Sequence, residues 1–582
     1  MDHNLLKNRP FYSKYIALSL LAGGIVLSGL SGQVFAQCPV EQVYLPVGQP
    51  DEYRKMNGRK NNLSKRGWGA AKQKLLRVVG TDSSREPANN ALPGPREISN
   101  IVSSQGANET TRNAKGLSDM FWLWGQFLDH DITLVHTDES QPANIAIPSG
   151  DPAFSGLSSL PFSRSELTGN GRNHPNVLTS YIDGSNIYGS DTETANSLRS
   201  FQGGKLIMEN GLMPKDSNGF FRAGDERANE HFGLTAMHTL WVREHNRVAD
   251  ALACEYSWWS DEQIFLEARR IVVAQLQAIT YNEFLPAMLG PYAMPGYWED
   301  IFGYDDTVRA NISNIFAVSA YRFGHSMLSP NLLRLTESGE EIAQGHVALK
   351  DAFFRPAKLE EAGLEPVLRG FASQMAQALD PMVVDDVRNF LILGPGESQG
   401  FDLAALNIQR GRDHKLPGYN DVREALGLRR INDFYDGIWR ESFRDRLASA
   451  YNHPDDVDLW VGSLAEEEVN NSLVGETLRT IFIEQFRRLR HGDRFWYENE
   501  DTYYYYDIQE FNKIRLADII KRNTSVNNIQ SNVFIATEIH DPVEVQAAPA
   551  IVPFAAPAAA PEFMDENRRE EILDAISEGL LG

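Results

Sequence analysis

Cysteine is scarce in this sequence: its 582 residues include only two, Cys38 and Cys254. Two cysteines allow at most one disulfide, which excludes the disulfide framework that holds many small secreted domains together. Structural zinc sites made of several cysteine ligands are excluded for the same reason. The fold must therefore be held by its hydrophobic core, and an apolar share of 42% is enough to form one.

The sequence also lacks an excess of basic residues. It contains 55 Lys and Arg against 78 Asp and Glu, which gives a formal net charge of -23. This balance disfavours nucleic acid and anionic membranes as partners, and we interpret it as a solvated acidic surface. Beyond the N-terminal region, no stretch approaches the roughly 18 consecutive apolar residues of a membrane-spanning helix. We expect no nucleic-acid partner and no stable membrane insertion.

The N-terminus has the layout of a secretory signal peptide. Basic residues precede an apolar run over 15–30, and Val34-Phe35-Ala36 supplies small residues at the spacing of a cleavage site. The alternative is a retained membrane anchor, but the run is short and interrupted by glycines. The sequence therefore predicts a signal peptide over residues 1–36 and a secreted or periplasmic protein.

The rest of the chain is predicted to form one large domain followed by a tail. We place the domain at residues 37–540. Residues 541–561 are Ala/Pro-rich and are interpreted as a linker. Residues 562–582 form an acidic tail that could fold as a short helix, with a disordered tail as the simpler alternative.

Helical signals dominate within the domain. Ser260 and Gln263 have the spacing of a capping box that opens a helix over 262–289, and Gly290 stands where a helix ends. A second apolar periodicity predicts a helix over 475–490. Strand-like alternation is scarce, so we predict a mainly α fold with few short strands.

The first chemical motif is FWLWGQFLDHDIT at 121–133. Gln126 and His130 are four residues apart and share one helical face. Asp129 and Asp131 flank the histidine in an apolar segment, where a buried carboxylate needs a cation, a metal or a covalent bond. Taken alone, the motif is explained equally well by a capped helix end with a hydrogen-bonded histidine.

A second motif, TSYIDGSNIYGS at 179–190, carries hard oxygen ligands at near-alternate positions. Thr179, Asp183 and Ser185 suit a calcium loop if a further carboxylate arrives from elsewhere in the chain. The spacing is not that of an EF-hand, and a simple polar turn is the alternative.

Three further stretches carry charged or ring side chains: AGDERANE at 223–230, YRFGHS at 321–326 and LNIQRGRDH at 406–414. Arg227 and Glu230 are three apart and can share a helical face. Asn407 could orient a histidine ring by accepting its second N–H. Arg322 and Arg410 could pair with buried anionic groups.

In this order, the five stretches resemble the animal-type haem peroxidases of the peroxidase–cyclooxygenase superfamily. The resemblance runs from about Tyr53 to Phe534. It includes four more stretches: WGAA at 68–71, REISN at 96–100, DPMVVDDVRNFL at 380–391 and QFRRLRHGDRFWYEN at 485–499. The resemblance implies a single large helical haem-peroxidase domain.

The resemblance also implies roles for individual residues around haem b. His130 would be the distal catalytic histidine, with Gln126 beside it and Arg227 as the distal arginine. His325 would ligate the haem iron, and Asn407 would bond its other ring nitrogen. The remaining cofactor-binding candidates are the ester-forming carboxylates and two cations: Asp129, Glu230, Arg322 and Arg410. The calcium ligands would be five residues, one of them through its carbonyl: Asp131, Thr179, Tyr181 (carbonyl), Asp183 and Ser185.

The implied reaction reduces hydrogen peroxide and oxidises a halide, thiocyanate or a phenol. His231 follows Glu230, at a position where one family member has a methionine bonded to the haem. Without that bond we expect iodide, bromide or thiocyanate rather than chloride as donor. The scarcity of disulfides is typical of a bacterial-style member.

Two other functions compete with this interpretation. A fatty-acid dioxygenase or cyclooxygenase-like enzyme would have a radical-forming tyrosine three residues before the proximal histidine. That position is Arg322, and Tyr321 is one residue too early. A non-catalytic surface protein would lack the distal histidine, the distal arginine or the proximal histidine, and this chain has all three.

Overall fold

Helices make up most of the regular structure in the computed structural model. It describes residues 44–46, 50–88, 91–105, 111–169, 173–291, 293–294, 303–391, 400–499 and 503–537. The predicted signal peptide, linker and acidic tail lie outside the described residues. Contacts divide the chain into Met1–Pro39 and Val40–Gly582. The domain limits 37–540 stay a prediction.

Eighteen α-helices lie in the described part of the chain. They are α1 (Pro95–Ile98), α2 (Asp119–Ile132), α3 (Ser185–Tyr188), α4 (Thr192–Leu198), α5 (Phe232–Glu255), α6 (Asp261–Ile279), α7 (Leu285–Leu289), α8 (Asn314–Val318), α9 (Ala357–Ala362), α10 (Leu364–Ser373), α11 (Asp385–Arg388), α12 (Leu403–Asp413), α13 (Tyr419–Ala425), α14 (Glu441–Ala450), α15 (Leu459–Leu464), α16 (Glu476–His491), α17 (Tyr505–Phe511) and α18 (Leu516–Asn523). The mainly α prediction is confirmed.

Strands are short and pair only in twos within the described residues. They are β1 (Gln73–Lys74), β2 (Thr137–Pro142), β3 (Ile145–Ala146), β4 (Ser159–Leu160), β5 (Ser163–Ser165), β6 (Pro175–Asn176), β7 (Asn331–Leu332) and β8 (Val347–Ala348). All four pairs are antiparallel: β1 with β6, β2 with β5, β3 with β4 and β7 with β8. They fasten loops to the helical core.

The predicted capping box opens α6. The Ser260 hydroxyl accepts the Gln263 N–H, and the Gln263 side chain accepts the Ser260 N–H. The prediction of one helix over 262–289 misses an interruption, because a π-helical turn at Thr280–Phe284 separates α6 from α7. Helix α7 ends at Leu289, and Gly290 follows with a φ of +87°, which glycine adopts more readily than other residues.

Helix α2 is the centre of the packing. All of its residues except Gln126 are buried, which is typical of a helix surrounded by other elements. It contacts α3, α5, α10 and the 3₁₀ segment Ala320–Ser326. Trp122 of α2 packs on Phe371 of α10, with ring centroids 5.4 Å apart.

Among the described residues, no helix has the length and apolar character needed to cross a membrane.

The close approach of α10 to residue 333 gives a prediction about stability. A Cβ on Gly370 would lie 1.9 Å from the Leu333 carbonyl oxygen. We expect Gly370→Ala to lower the free energy of unfolding by about 1–3 kcal/mol or more, because backbone must move to relieve the clash. Urea unfolding followed by circular dichroism measures this change.

Gly411→Ala in α12 is the matched control. Its added Cβ would meet only Leu416 Cδ1, at 3.8 Å, and alanine favours the helix by up to about 1 kcal/mol. Equal stability of the two variants would contradict the packing argument.

Candidate functional site

A cavity lies between α2 and the 3₁₀ segment that contains His325. The structure brings His130 and His325 to the walls of the same cavity. The other lining residues are Trp122, Gly125, Gln126, Asp129, His231, Tyr321, Phe323, Gly324, Leu328, Leu349 and Phe353.

His130 lies in the last turn of α2 and is fully buried. Its Nδ1 has no hydrogen-bond partner among the described groups and lies 3.8 Å from Asp225 Oδ1. Its Nε2 lies 3.9 Å from Glu230 Oε2. Burial, helped by the nearby Arg227 cation, holds the pKa of His130 well below its usual value. The ring is therefore neutral and able to accept a proton.

Arg227 reaches the same region from the 3₁₀ turn Glu226–Asn229. Its Nε and Nη2 donate to the two carboxylate oxygens of Asp225, at 2.8 and 2.9 Å. Its Nη1 makes no described hydrogen bond and lies 3.6 Å from Asp129 Oδ2. One edge of the guanidinium is held in place, and the other faces Asp129, which lines the cavity.

The two carboxylates predicted to bind haem are buried next to this cation. Burial raises the pKa of Asp129 to about 7, although the Arg227 cation opposes the shift. Burial also raises the pKa of Glu230 well above its usual value, and Glu230 Oε1 has no described partner. Burial therefore shifts both groups towards the neutral form, compared with a free surface carboxylate.

His231 lines the cavity, which the sequence analysis did not predict. It caps the N-terminus of α5, where its Nδ1 accepts the Leu234 N–H at 3.2 Å. The proton of the neutral ring must therefore be on Nε2, which donates to Gln126 Oε1 at 2.7 Å. The Gln126 amide nitrogen in turn donates to Glu230 Oε2 at 2.7 Å. A backbone N–H of α5 thus fixes which way the Gln126 amide points.

His325 forms the opposite wall of the cavity, and burial lowers its pKa to about 3. The Asn407 amide nitrogen, from α12, lies 2.9 Å from His325 Nδ1. The Asn407 carbonyl oxygen accepts from Arg322 Nη1 at 3.2 Å. The predicted contact between Asn407 and His325 is therefore present. The amide, however, has the opposite orientation to the predicted one, because its oxygen is bound to the arginine.

Arg410 contacts protein groups rather than the cavity. Its Nη1 donates to the Ser163 carbonyl at 3.0 Å and to Ser165 Oγ at 2.7 Å, both in β5. It also lies 3.4 Å from Asp413. Its proposed contact with an anionic group of the cofactor stays a prediction.

The predicted calcium ligands come together directly behind the last turn of α2. The Asp131 carboxylate accepts backbone N–H groups from Asp183 and Gly184, at 3.0 and 3.1 Å. The Ser185 hydroxyl donates to the Asp131 carbonyl at 2.6 Å. The two carboxylates are close enough that burial and the Asp183 charge raise the pKa of Asp131 to about 7.

The other members of this group are also buried. The Thr179 hydroxyl donates to Asp183 Oδ1 at 2.9 Å, and Asp183 Oδ2 accepts no described hydrogen bond. Arg269 lies 3.4 Å from that oxygen. The Tyr181 phenol donates to the Trp68 carbonyl at 2.8 Å. The predicted role of the Tyr181 carbonyl as a calcium ligand stays a prediction.

Comparison with known proteins identifies the family. The model of the animal haem peroxidase family matches residues 53–534. Peroxinectin A of Dictyostelium discoideum is 34% identical, and the match covers 84% of this chain and 97% of that protein. A peroxidasin homolog of Mus musculus is also 34% identical over 84% of this chain, but the match covers only 38% of that longer protein.

Solved structures agree with this assignment. Peroxidase A from Dictyostelium discoideum superposes with a TM-score of 0.75 at 34% identity, covering 83% of this chain and all of that one. The fatty acid alpha-dioxygenase of Arabidopsis thaliana has a TM-score of 0.72 at 22% identity over 87% of this chain and 86% of that one, which shows a shared fold alone. The family match over most of the chain and these similarities show that the chain belongs to the animal haem peroxidases.

Proposed function

We propose that this haem peroxidase reduces hydrogen peroxide in the cavity between His130 and His325 and oxidises iodide, bromide or thiocyanate, or small phenols. The observation that carries the proposal is the neutral, buried His130 near the Arg227 cation, whose Nη1 makes no described hydrogen bond. The bacterial-style assignment stays a prediction.

The residues around the cavity fit a haem group. Several buried polar atoms there lack a described partner, namely His130 Nδ1, Arg227 Nη1 and Glu230 Oε1. His325 would hold the iron, and Asp129 and Glu230 would be the ester-forming carboxylates. When bound, haem would supply an iron that exchanges electrons with peroxide and donor.

The chain's own residues would manage the proton. His130 Nδ1 is enclosed by protein, so Nε2 would take the proton from one peroxide oxygen and return it to the departing oxygen. The Arg227 guanidinium would stabilise the negative charge that develops as the O–O bond breaks. Ligation through His325 Nε2 requires a proton on Nδ1, and a half-turn of the Asn407 amide would supply the acceptor for it.

We also propose that Ca²⁺ binds between Asp131 and the loop that carries Thr179, Tyr181, Asp183 and Ser185. Asp183 Oδ2, which accepts no described hydrogen bond, and the surrounding hydroxyl and carbonyl oxygens support this proposal, because Ca²⁺ prefers such ligands. Binding there would hold α2 against the loop.

We further infer that the protein works outside the cytoplasm. The predicted signal peptide supports this location.

The dioxygenase alternative retains one supporting observation. The Tyr321 phenol lines the cavity and has no described hydrogen-bond partner, although the residue is one position too early for the predicted radical site. Oxygen uptake with linoleate, in the absence of halide turnover, would favour that alternative.

The donor preference is tested by steady-state kinetics with peroxide. We expect kcat/KM for iodide, thiocyanate and bromide to exceed that for chloride by about tenfold or more, which corresponds to about 1.4 kcal/mol in the barrier. Chloride as the best donor would contradict the argument drawn from His231.

The role of His130 is tested by His130→Gln. We expect kcat/KM for peroxide to fall by about 10²–10⁴-fold, because the proton acceptor is removed. The haem content, measured by absorption, is expected to stay unchanged. His245→Gln is the control, since His245 is buried but binds Tyr188 and the Gly204 carbonyl instead. If His130→Gln lowers kcat/KM for peroxide by less than tenfold, the assignment of His130 is disproved.

The calcium site is tested by thermal unfolding with and without a chelator. We expect the chelator to lower the Tm of the wild type. We expect Asp183→Ala to lower both Tm and haem retention, and the chelator should then cause no further fall in Tm. Asp458→Ala is the control. That buried carboxylate pairs with Arg412 at 2.7 Å, so its loss costs stability but leaves the chelator response. Normal haem content in Asp183→Ala would contradict the proposal.

A further inference from the structure

An unbroken series of aromatic contacts leads away from the cavity. It begins at Tyr321, which lines the cavity wall. The Tyr321 ring centroid lies 6.0 Å from that of Phe486, and Phe486 lies 6.1 Å from Tyr281. Tyr281 is in edge contact with Trp496 at 4.6 Å. These separations are those of rings in direct contact.

The series continues from Trp496 to the surface. Trp496 lies 5.3 Å from Tyr497, and Tyr497 lies 6.2 Å from Phe511. Phe511 lies 6.3 Å from Tyr44, whose residue surface is 38% exposed. We name the whole series, from Tyr321 to Tyr44, the aromatic chain. It connects a buried cavity wall to a solvent-exposed phenol without a gap.

Two members of the aromatic chain have a carboxylate beside their acidic hydrogen. Trp496 Nε1 donates to Glu498 Oε2 at 3.0 Å. The Tyr44 phenol donates to the Asp507 carboxylate. An indole or phenol becomes strongly acidic when it loses an electron, so a neighbouring carboxylate that can take the proton makes the oxidation easier. Tyrosine and tryptophan are also the side chains with the oxidation potentials best suited to this role.

We propose that the aromatic chain carries electrons from Tyr44 to the cavity, so that the enzyme oxidises phenols too bulky to enter the cavity. The donor class is a phenol attached to a protein or polymer. Electron transfer slows steeply with distance, and steps between the oxidisable tyrosine and tryptophan rings overcome that loss. Phe486 and Phe511 are not oxidised; they are the bridging contacts between successive oxidisable rings. The proposal rests on the peroxidase activity and extends it to a second donor site.

The overall reaction balances with peroxide as the oxidant. Two phenols each lose one electron and one proton and become phenoxyl radicals. The electrons pass through the aromatic chain, and two electrons and two protons convert one hydrogen peroxide to two waters. The Asp507 carboxylate takes the Tyr44 proton at each oxidation and returns it when the donor re-reduces Tyr44.

The proposal is tested with the haem-loaded enzyme and a phenol coupled to a large dextran, compared with iodide. We expect Tyr44→Phe and Trp496→Phe to lower kcat/KM for the dextran-linked phenol by about tenfold or more, and to leave iodide oxidation within about twofold. Tyr435→Phe is the matched control. Tyr435 is 61% exposed but makes no ring contact among the described residues, so its loss should change neither rate.

A second measurement keeps the result independent of folding defects at Trp496. Tyr281→Phe keeps the ring and removes only the hydroxyl that donates to the Phe486 carbonyl at 2.5 Å. In the wild type, rapid freezing after peroxide addition without donor should give a tyrosyl radical signal. That signal should fall in Tyr281→Phe and Tyr44→Phe and remain in Tyr435→Phe.

The outcomes separate this proposal from the peroxidase function itself. Wild-type oxidation of iodide but not of the dextran-linked phenol would overturn the aromatic chain and leave the cavity chemistry intact. Equal dextran-phenol rates in wild type, Tyr44→Phe and Tyr281→Phe would also overturn it. Failure with both donors would instead remove the function on which the proposal rests.

Discussion

The burial of charge in the last turn of α2 is the constraint on which the site depends. Asp129, His130 and Asp131 lie in a helix that is enclosed on almost every side. Each charged or polar group there costs several kcal/mol, as an order of magnitude, unless it finds a partner. Asp129 has the Arg227 cation, and Asp131 has the backbone N–H groups of Asp183 and Gly184. His130 has no such partner and remains neutral.

These pairings join segments that are distant along the chain. The Arg227 turn is held by Asp225 and leads directly into α5, so the position of the guanidinium is set by the start of a long helix. The same helix start presents His231, which fixes the Gln126 amide. A site of this kind is pre-organised: its donors are held by rigid elements before substrate arrives. The Phe371 ring of α10 stacks against the His231 ring.

The aromatic content of the core has a second consequence. Aromatic rings give a large area of apolar contact and pack edge to face, which fills the space between helices densely. In an enzyme that produces a strong oxidant, contiguous tyrosine and tryptophan rings also offer a path for electrons. The same residues therefore serve both packing and redox chemistry. Tyr281 is one of them, and its hydroxyl donates a hydrogen bond to the Phe486 carbonyl rather than to a carboxylate.

Much of the fold was predictable from local patterns. The capping box at Ser260 and the periodicity of 475–490 are local signals, since helical contacts join residues three or four apart. The π-helical turn at Thr280–Phe284 was not predicted, because the apolar positions recur on both sides of it without a visible break. The order of the motifs was enough to predict the family, and the family match over 53–534 confirms it.

The sequence by itself determined the family and the candidate side chains for the chemistry: a histidine between two carboxylates on a helix, a distant second histidine, and an arginine before α5. Only the tertiary structure decided how these groups face one another. His130 and His325 meet across a cavity because α2 packs against the segment Ala320–Ser326, and no local periodicity encodes that contact. It also decided the orientation of two amides. A backbone N–H of α5 directs Gln126 through His231, and the Arg322 cation directs Asn407, so both depend on hydrogen bonds between residues remote in sequence.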